Sequence, residues 1–319
     1  MIEIFYKEEG HISVSNTIDS FAQLPRKDVV WIDMVNPEGE EKRAVEAFLN
    51  TAIQTRAQAE EIESSSRFSE TDTALFANTN FVIPGPDEYS LETVSFIVTE
   101  EENILTTIRE SPIRSFTILQ RRLQAFPKNY PDGFAVFVSI LEQRVDLDAD
   151  MIEIMSQEIA QYNKKVSLGE DVNEEFLLDI NQLQENTMLV RENVVDKQRM
   201  VSSILKSEIC PKQMAEKLEV LLKDIASLIN HTNFSFERLE YLQNTVIGII
   251  NLDQNKIMKI FTLVSLLLMP PTLIASFFGM NVYFGNFIAD SIWAVIIIGA
   301  LMVLSIVIIF LIFKIRKML

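Results

Sequence analysis

Two uncharged apolar runs in the last quarter of this 319-residue chain constrain its fold more than any other feature. Residues 260–278 are 19 positions without a charge, and residues 292–313 are 22. Each run is long enough to cross a bilayer core as a helix, which takes about 20 residues. Since both runs are apolar on nearly every face, two buried core helices explain them poorly. The chain is therefore predicted to be a multi-pass membrane protein whose two spans form a hairpin.

The charge of the chain is divided between an acidic body and a basic C-terminal part. The formal net charge is -17, yet residues 256–319 carry five basic side chains against the single acid Asp290. These basic residues flank the outer ends of the two runs and are Lys256, Lys259, Lys314, Arg316 and Lys317. Because basic residues mark the cytoplasmic side of a membrane, both termini are predicted to be cytoplasmic, with the hairpin among the lipids of the cell (inner) membrane. The acidity argues against nucleic acid as a partner.

The first run carries a polar stripe. On a helix its four hydroxyl residues fall within an arc of about 80°; they are Thr262, Ser265, Thr272 and Ser276. Met258 and Met269 lie on the same stripe, and Asn255 lies at its edge. Such a stripe either lines a water-filled path or mediates helix packing, and its pattern favours neither. Because two helices cannot enclose a path, a channel would need several copies around one axis.

The tripeptide Gly279-Met280-Asn281 directly follows the first run. Through it the chain resembles the CorA family of divalent cation channels, whose signature is Gly-Met-Asn at this point. The residues before the signature that are similar to those of the family are Asn255, Met258, Lys259, Thr262, Met269, Pro270, Thr272 and Ala275. Near the N-terminus, residues 31–34 and 106–110 resemble two strands of the family more loosely.

The resemblance implies a fold class and an assembly. The fold is an α+β cytoplasmic domain joined by a long stalk helix to a two-helix transmembrane hairpin, and five copies form a CorA-like homopentameric funnel. The first membrane helices line the pore and the second lie outside. No cofactor is implied, because Mg2+ is both the substrate and the regulator: intracellular Mg2+ binds between neighbouring cytoplasmic domains and holds the pore closed.

The resemblance also implies a function, the influx of divalent cations down their electrochemical gradient, with Mg2+ first and Co2+ or Ni2+ as further candidates. Gly279, Met280 and Asn281 form the selectivity filter, where a ring of Asn281 amides holds hydrated Mg2+ through its water shell. The stripe and the family together predict a pore lined by Asn255, Met258, Phe261, Thr262, Ser265, Met269, Thr272 and Ser276. Met258 and Phe261 form the hydrophobic gate, and Asn255 lies at its cytoplasmic mouth. The five basic residues form a ring near the membrane.

No motif identifies the regulatory carboxylates. The acidic run at residues 146–150 lacks the glycine and the distal glutamate of an EF-hand loop, so a solvated helix start is expected there. Residues 60–61 and 100–102 are expected to be surface acids. Neither a phosphate-binding glycine loop nor a catalytic pair of histidine and cysteine is recognisable, so the chain is predicted not to be an enzyme.

Two alternatives stay open at this point. The loop at residues 282–291 holds Asp290 as its only carboxylate, which weakens the concentration of cations at the pore mouth and keeps a Zn2+ transporter on the same scaffold open. A cytoplasmic sensor domain merely tethered by the hairpin, without a pore, is the other alternative.

The predicted domains are residues 1–130 (cytoplasmic α/β), 131–212 (helical hairpins), 213–259 (stalk), 260–281 (first transmembrane helix), 282–291 (external loop), 292–313 (second transmembrane helix) and 314–319 (basic tail).

Strands are expected at residues 2–6, 29–34, 75–83, 91–98 and 104–109. Helices are expected after Asn36-Pro37 and after Ser111-Pro112, with Asn36 as the cap of the first. From residue 134 the pattern is helical, with breaks near Gly169 and at Cys210-Pro211. Residues 213–278 are expected to form one helix of roughly 100 Å.

Overall fold

A computed structural model describes residues 1–53, 67–86, 88–169, 172–280 and 292–315. The chain divides into two units, residues 1–244 and 245–319. The first unit is an α+β domain and the second is helical. The fold class predicted from the sequence is confirmed in these elements.

A mixed seven-stranded sheet organises the described part of the first unit. Its strands are β1 (Ile2–Glu8), β2 (His11–Ser15), β3 (Val29–Val35), β4 (Phe68–Glu70), β5 (Ala74–Ile83), β6 (Ser90–Thr99) and β7 (Leu105–Arg109). They lie in the order β2-β1-β3-β7-β6-β5-β4, and only β3 and β7 are parallel among these pairs. All five predicted strands are present. Strands β2 and β4 were not predicted, since five and three residues show too little alternation of apolar and polar side chains.

Six α-helices are described. They are α1 (Gly39–Leu49), α2 (Arg114–Ala125), α3 (Gly133–Leu168), α4 (Glu174–Ile204), α5 (Lys212–Phe278) and α6 (Ile292–Ile315). The expected break near Gly169 is confirmed: α3 ends there in a left-handed conformation with φ 69°, which glycine adopts without steric cost. The break at Cys210-Pro211 is also confirmed, because α5 begins at the next residue.

The predicted cap of α1 is wrong. Asn36 has φ 42°, a left-handed conformation that turns the chain out of β3 and differs from the extended backbone of an N-cap. The cap is Glu38, whose N–H donates to the Glu41 carboxylate over 2.9 Å in a capping box.

Both faces of the sheet are buried. One face packs on α1 through a cluster that includes Ile32, Met34 and Phe48. On the other face, Trp31 lies between Phe5 and Phe116, with ring centroids 4.8 and 6.0 Å away. Phe96 packs against Phe137 of α3 at 5.0 Å. The central strands can therefore be apolar on both sides.

The second unit contains the end of α5 and the whole of α6. By length and composition, α5 and the segment Val295–Ile315 of α6 are each able to cross a membrane. In both helices, the most apolar 18-residue stretch is not buried within the protein. A core helix of a soluble protein would be covered there, so exposure favours a lipid environment for both helices.

Candidate functional site

The predicted pore helix is the last part of α5. The helix continues through Pro270 and Pro271 and ends at Phe278. The Gly279 N–H then donates to the Ala275 carbonyl over 2.8 Å. A Cβ built on Gly279 would lie 3.0 Å from that carbonyl oxygen, so a side chain here would crowd the last turn. Glycine thus lets the chain leave the helix without displacing it.

The threonine hydroxyls of the stripe are oriented by the helix itself. Thr262 Oγ1 donates to the Met258 carbonyl and Thr272 Oγ1 to the Leu268 carbonyl, each over 2.7 Å. Since each hydroxyl proton is used within the helix, the oxygen lone pairs remain as acceptors. The water shell of a cation presents hydrogen-bond donors. These side chains can therefore accept hydrogen bonds from the water shell of a hydrated cation.

Most predicted pore residues are exposed in the single chain. Met258, Phe261 and Met269 are 61, 69 and 64% exposed. Asn255, Thr262, Thr272 and Ser276 are also exposed, and Ser265 is half-buried. On an ideal helix, all eight residues fall within an arc of about 120°, with Asn255 and Phe261 at its two edges. One continuous helix therefore presents the whole predicted lining on one face.

The two prolines leave backbone acceptors in the middle of the predicted span. Proline has no N–H, so Pro270 and Pro271 cannot donate to the carbonyls of Leu266 and Leu267. In hydrocarbon such carbonyls are costly unless a neighbouring helix or water supplies a donor. This requirement favours a span that contacts water or other protein along part of its length.

Several predicted site residues lie outside the described residues: Asn281, the loop at residues 282–291, Arg316 and Lys317. Of the basic ring, Lys256 is described and forms an exposed pair with Asp253 over 2.8 Å. Lys259 is exposed, and Lys314 lies in the last turn of α6. The Lys256 pair is exposed on both sides and contributes little to stability.

A buried polar cluster joins the two N-terminal stretches that carry the family resemblance. Parallel pairing of β3 with β7 sets Asp33 opposite Thr107. Asp33 accepts hydrogen bonds from Arg109 Nη2 over 2.6 Å and from Thr107 Oγ1 over 2.7 Å. Trp31 Nε1 donates to the same threonine oxygen over 2.9 Å. Burial raises the pKa of the Asp33 carboxyl, and Arg109 opposes that shift. The cluster therefore fixes the centre of the sheet.

The acidic run at residues 146–150 is not a solvated helix start, and that prediction is wrong. It lies in the middle of α3, and Asp148 is 1% exposed. Asp148 pairs with Arg144 one turn earlier on the same helix and with Lys197 of α4. The apolar residues flanking the run, together with the Arg144–Asp148 spacing of four, were the available signal. Glu100 and Glu101 are exposed, as expected for surface acids, whereas Glu102 is half-buried and lies 3.8 Å from Arg26 Nη1. Residues 60–61 lie outside the described part.

Helix α4 connects the sheet to α5 within the first unit. Asn193 Nδ2 donates to the Asn80 carbonyl of β5 over 2.6 Å. On the other side of α4, Arg191 Nε donates to Asn233 Oδ1 over 2.5 Å, and Asn181 Oδ1 accepts from Gln243 over 2.7 Å. These links were not predicted, because polar pairs on neighbouring helices leave no local pattern in the sequence.

No cluster of three or more Asp, Glu, His or Cys side chains suited to a metal ion occurs among the described residues. The regulatory carboxylates are therefore not identified by the geometry of the single chain.

Comparison with known proteins identifies the family. Residues 26–317 match the family model described as CorA-like Mg2+ transporter protein. The chain belongs to this family. It is 33% identical to the magnesium transport protein CorA of Campylobacter jejuni strain RM1221 over 98% of both chains. It is 32% identical to that of Wolinella succinogenes over 88% of both chains. The resemblance inferred from the sequence is confirmed, and membership makes the chain a membrane protein and a transporter rather than an enzyme.

Three solved structures share the fold of this chain. CorA from Methanocaldococcus jannaschii matches with a TM-score of 0.75 at 19% identity, covering 98% of this chain and 97% of that one. The full-length CmaX protein matches at 0.71 and 13% identity, covering 100 and 97%. The ZntB cytoplasmic domain from Vibrio parahaemolyticus matches at 0.56 and 13%, covering 78 and 97%. At these identities the matches establish the CorA fold alone.

Proposed function

We propose that this chain forms a channel that carries Mg2+ into the cell, with Co2+ or Ni2+ as further permeant ions. The observation that supports it most is the polar face of α5, which bears Thr262 and Thr272 and leads directly to Gly279. The C. jejuni and W. succinogenes relatives are both named as magnesium transport proteins. A divalent ion gains about 4.6 kcal/mol on crossing a potential of 100 mV, so influx needs no chemical step.

The proposed channel is a homopentamer. One chain contributes a single polar-faced span, so several copies must surround the path. Helix α5 lines the pore, and α6 faces the lipid because it is apolar on all sides. Both termini then lie in the cytoplasm of a cell whose inner membrane holds the hairpin.

Selection is assigned to Gly279, Met280 and Asn281. Mg2+ releases its water reluctantly, so neutral amides can hold it through the water shell without trapping it. Deeper in the pore, Thr272 and Ser276 offer oxygen atoms to the same shell. Met258 and Phe261 form the closed gate, with Asn255 at its mouth. Intracellular Mg2+ bridging neighbouring N-terminal units holds this gate shut.

Ion flux into proteoliposomes tests the proposal. We expect wild-type protein to take up Mg2+, and Asn281→Ala to lower uptake at least tenfold. Ser305→Ala is the matched control, because Ser305 lies on α6 and its hydroxyl donates to the Met302 carbonyl. Native mass spectrometry should give about 180 kDa for each variant, five times the 36.5 kDa chain.

Other outcomes separate the alternatives. If the wild-type protein carries Zn2+ but not Mg2+, and Asn281→Ala loses the Zn2+ flux, then the substrate is Zn2+. The absence of flux of any divalent ion from a folded oligomer would contradict the channel and favour the tethered sensor.

A further inference from the structure

A buried charge cluster between α3, α4 and the sheet holds one more positive charge than negative. Asp148 lies 2.5 Å from Arg144 Nη2 and 2.9 Å from Lys197 Nζ. Arg144, Asp148 and Lys197 are each at most 3% exposed. Two cations thus share one carboxylate away from water, and an uncompensated buried charge is costly.

The other groups around Lys197 do not balance the excess. Its ammonium donates to Asn193 Oδ1, a neutral amide, and lies 5.7 Å from the centroid of the Phe81 ring of β5. Asp196 is the other acid that acts on Lys197, and it pairs with Arg67 over 3.0 Å and with Arg199 over 3.5 Å. The lysine is the member that can lose its charge, because an arginine does not deprotonate in proteins.

The same cluster attaches both helices to the sheet. Arg144 Nη2 of α3 donates to the Val82 carbonyl of β5 over 2.8 Å, and Asn193 Nδ2 of α4 donates to the Asn80 carbonyl of the same strand over 2.6 Å. Lifting α4 from β5 would expose Lys197 to water, where an ammonium is well solvated. The protonated lysine therefore favours separation more than the neutral lysine does.

We propose that Lys197 is a proton-release site that makes the docking of α4 on the sheet depend on pH. Burial lowers the pKa of docked Lys197 from 10.5 to about 8, against the opposing effect of Asp148. Lys197 would keep the ordinary pKa of 10.5 when α4 is undocked. Between pH 8 and 10.5 the undocked state therefore binds more protons than the docked state. Docking strengthens as pH rises through this window and is insensitive to pH well below 8. The docking constant should grow about tenfold from pH 7 to pH 9.

The consequence for transport rests on the proposed function. Since α4 also bonds to α5 through Arg191 and Asn181, its docking state would bias the pore helix. Alkaline pH on the side of the first unit would then favour the conformation with α4 docked.

Hydrogen–deuterium exchange of the full-length protein in lipid tests the proposal. For each amide of α4, protection is the exchange rate of an unstructured chain divided by the measured exchange rate at the same pH. This protection should rise about tenfold from pH 7 to pH 9. Lys206→Met is the matched control, because Lys206 is exposed just beyond α4, and it should show the same rise. Lys197→Met should show none, since it leaves Arg144 and Asp148 as a neutral pair.

A second variant keeps the test decisive if Lys197→Met does not fold. Asp148→Asn removes the anion that supports the charged lysine, so the pKa of docked Lys197 falls further. The rise should then begin at lower pH and exceed tenfold between pH 7 and pH 9. Protection that is flat in wild type, or equal rises in wild type and Lys197→Met, would overturn the proposal. The exchange readout does not depend on ion flux, so a protein without flux would contradict the proposed function while the docking result still stands.

Discussion

At the scale of single residues, the first unit depends on a few buried charges. Arg109 and Asp33 are 5 and 1% exposed, and the Arg109 guanidinium also stacks on the Phe116 ring with Cζ 4.4 Å from its centroid. Gln120 Nε2 donates to Asp33 over 3.1 Å and to Glu3 over 2.7 Å. The Arg109 guanidinium thus neutralises the Asp33 carboxylate of β3, which accepts hydrogen bonds from β7 and from α2.

Arg109→Met should destabilise the protein strongly. The change leaves Asp33 buried without a counter-charge, and breaking such a pair costs about 3–5 kcal/mol. We expect the free energy of unfolding of the full-length protein to fall by this amount. Arg114→Met, at an exposed position at the start of α2, should change it by less than about 0.5 kcal/mol. Equal effects of the two substitutions would contradict the role given to Arg109.

At the scale of elements, α4 holds the stretch of α5 that lies in the first unit. Loss of the Arg191–Asn233 hydrogen bond, at 2.5 Å, would leave a half-buried amide without its partner. We expect Arg191→Met to raise hydrogen exchange in α5 near residue 233, with little change in the sheet. Arg199→Met is the control, since its pair with Asp196 is exposed and 3.5 Å long. Unchanged exchange near residue 233 would contradict the link.

Element boundaries followed from the sequence where local chemistry sets them. Glycine predicted the end of α3 and proline the start of α5, because these residues act within one or two positions. The cap of α1 was missed because a left-handed Asn36 and an Asn36 cap look alike in sequence. The acidic run of α3 was misjudged for a different reason: Asp148 is buried by partners far along the chain, including Lys197 of α4. Tertiary contacts of this kind leave no local pattern.

At the scale of the whole molecule, the sequence predicts more about transport than the structure of one chain shows. The stripe on residues 260–278 follows from helical periodicity alone, and the continuous α5 carries it on one face. Its proposed role depends on a ring of copies, which periodicity within one chain cannot reveal. The filter residue Asn281 and its loop lie outside the described residues. The signature tripeptide therefore identified the family more surely than the geometry of one chain could.

Thiol accessibility of the pore helix tests the central claim most directly. In a Cys210→Ser background, the only native cysteine is removed, and Thr272→Cys and Ser305→Cys add one thiol each. We predict that a water-soluble cationic thiol reagent blocks Mg2+ flux through Thr272→Cys and leaves Ser305→Cys conducting. Mg2+ should slow the modification at residue 272 by competing for the same path. Block of Ser305→Cys alone, or an unreactive Thr272→Cys in a conducting channel, would contradict a pore lined by the polar face of α5.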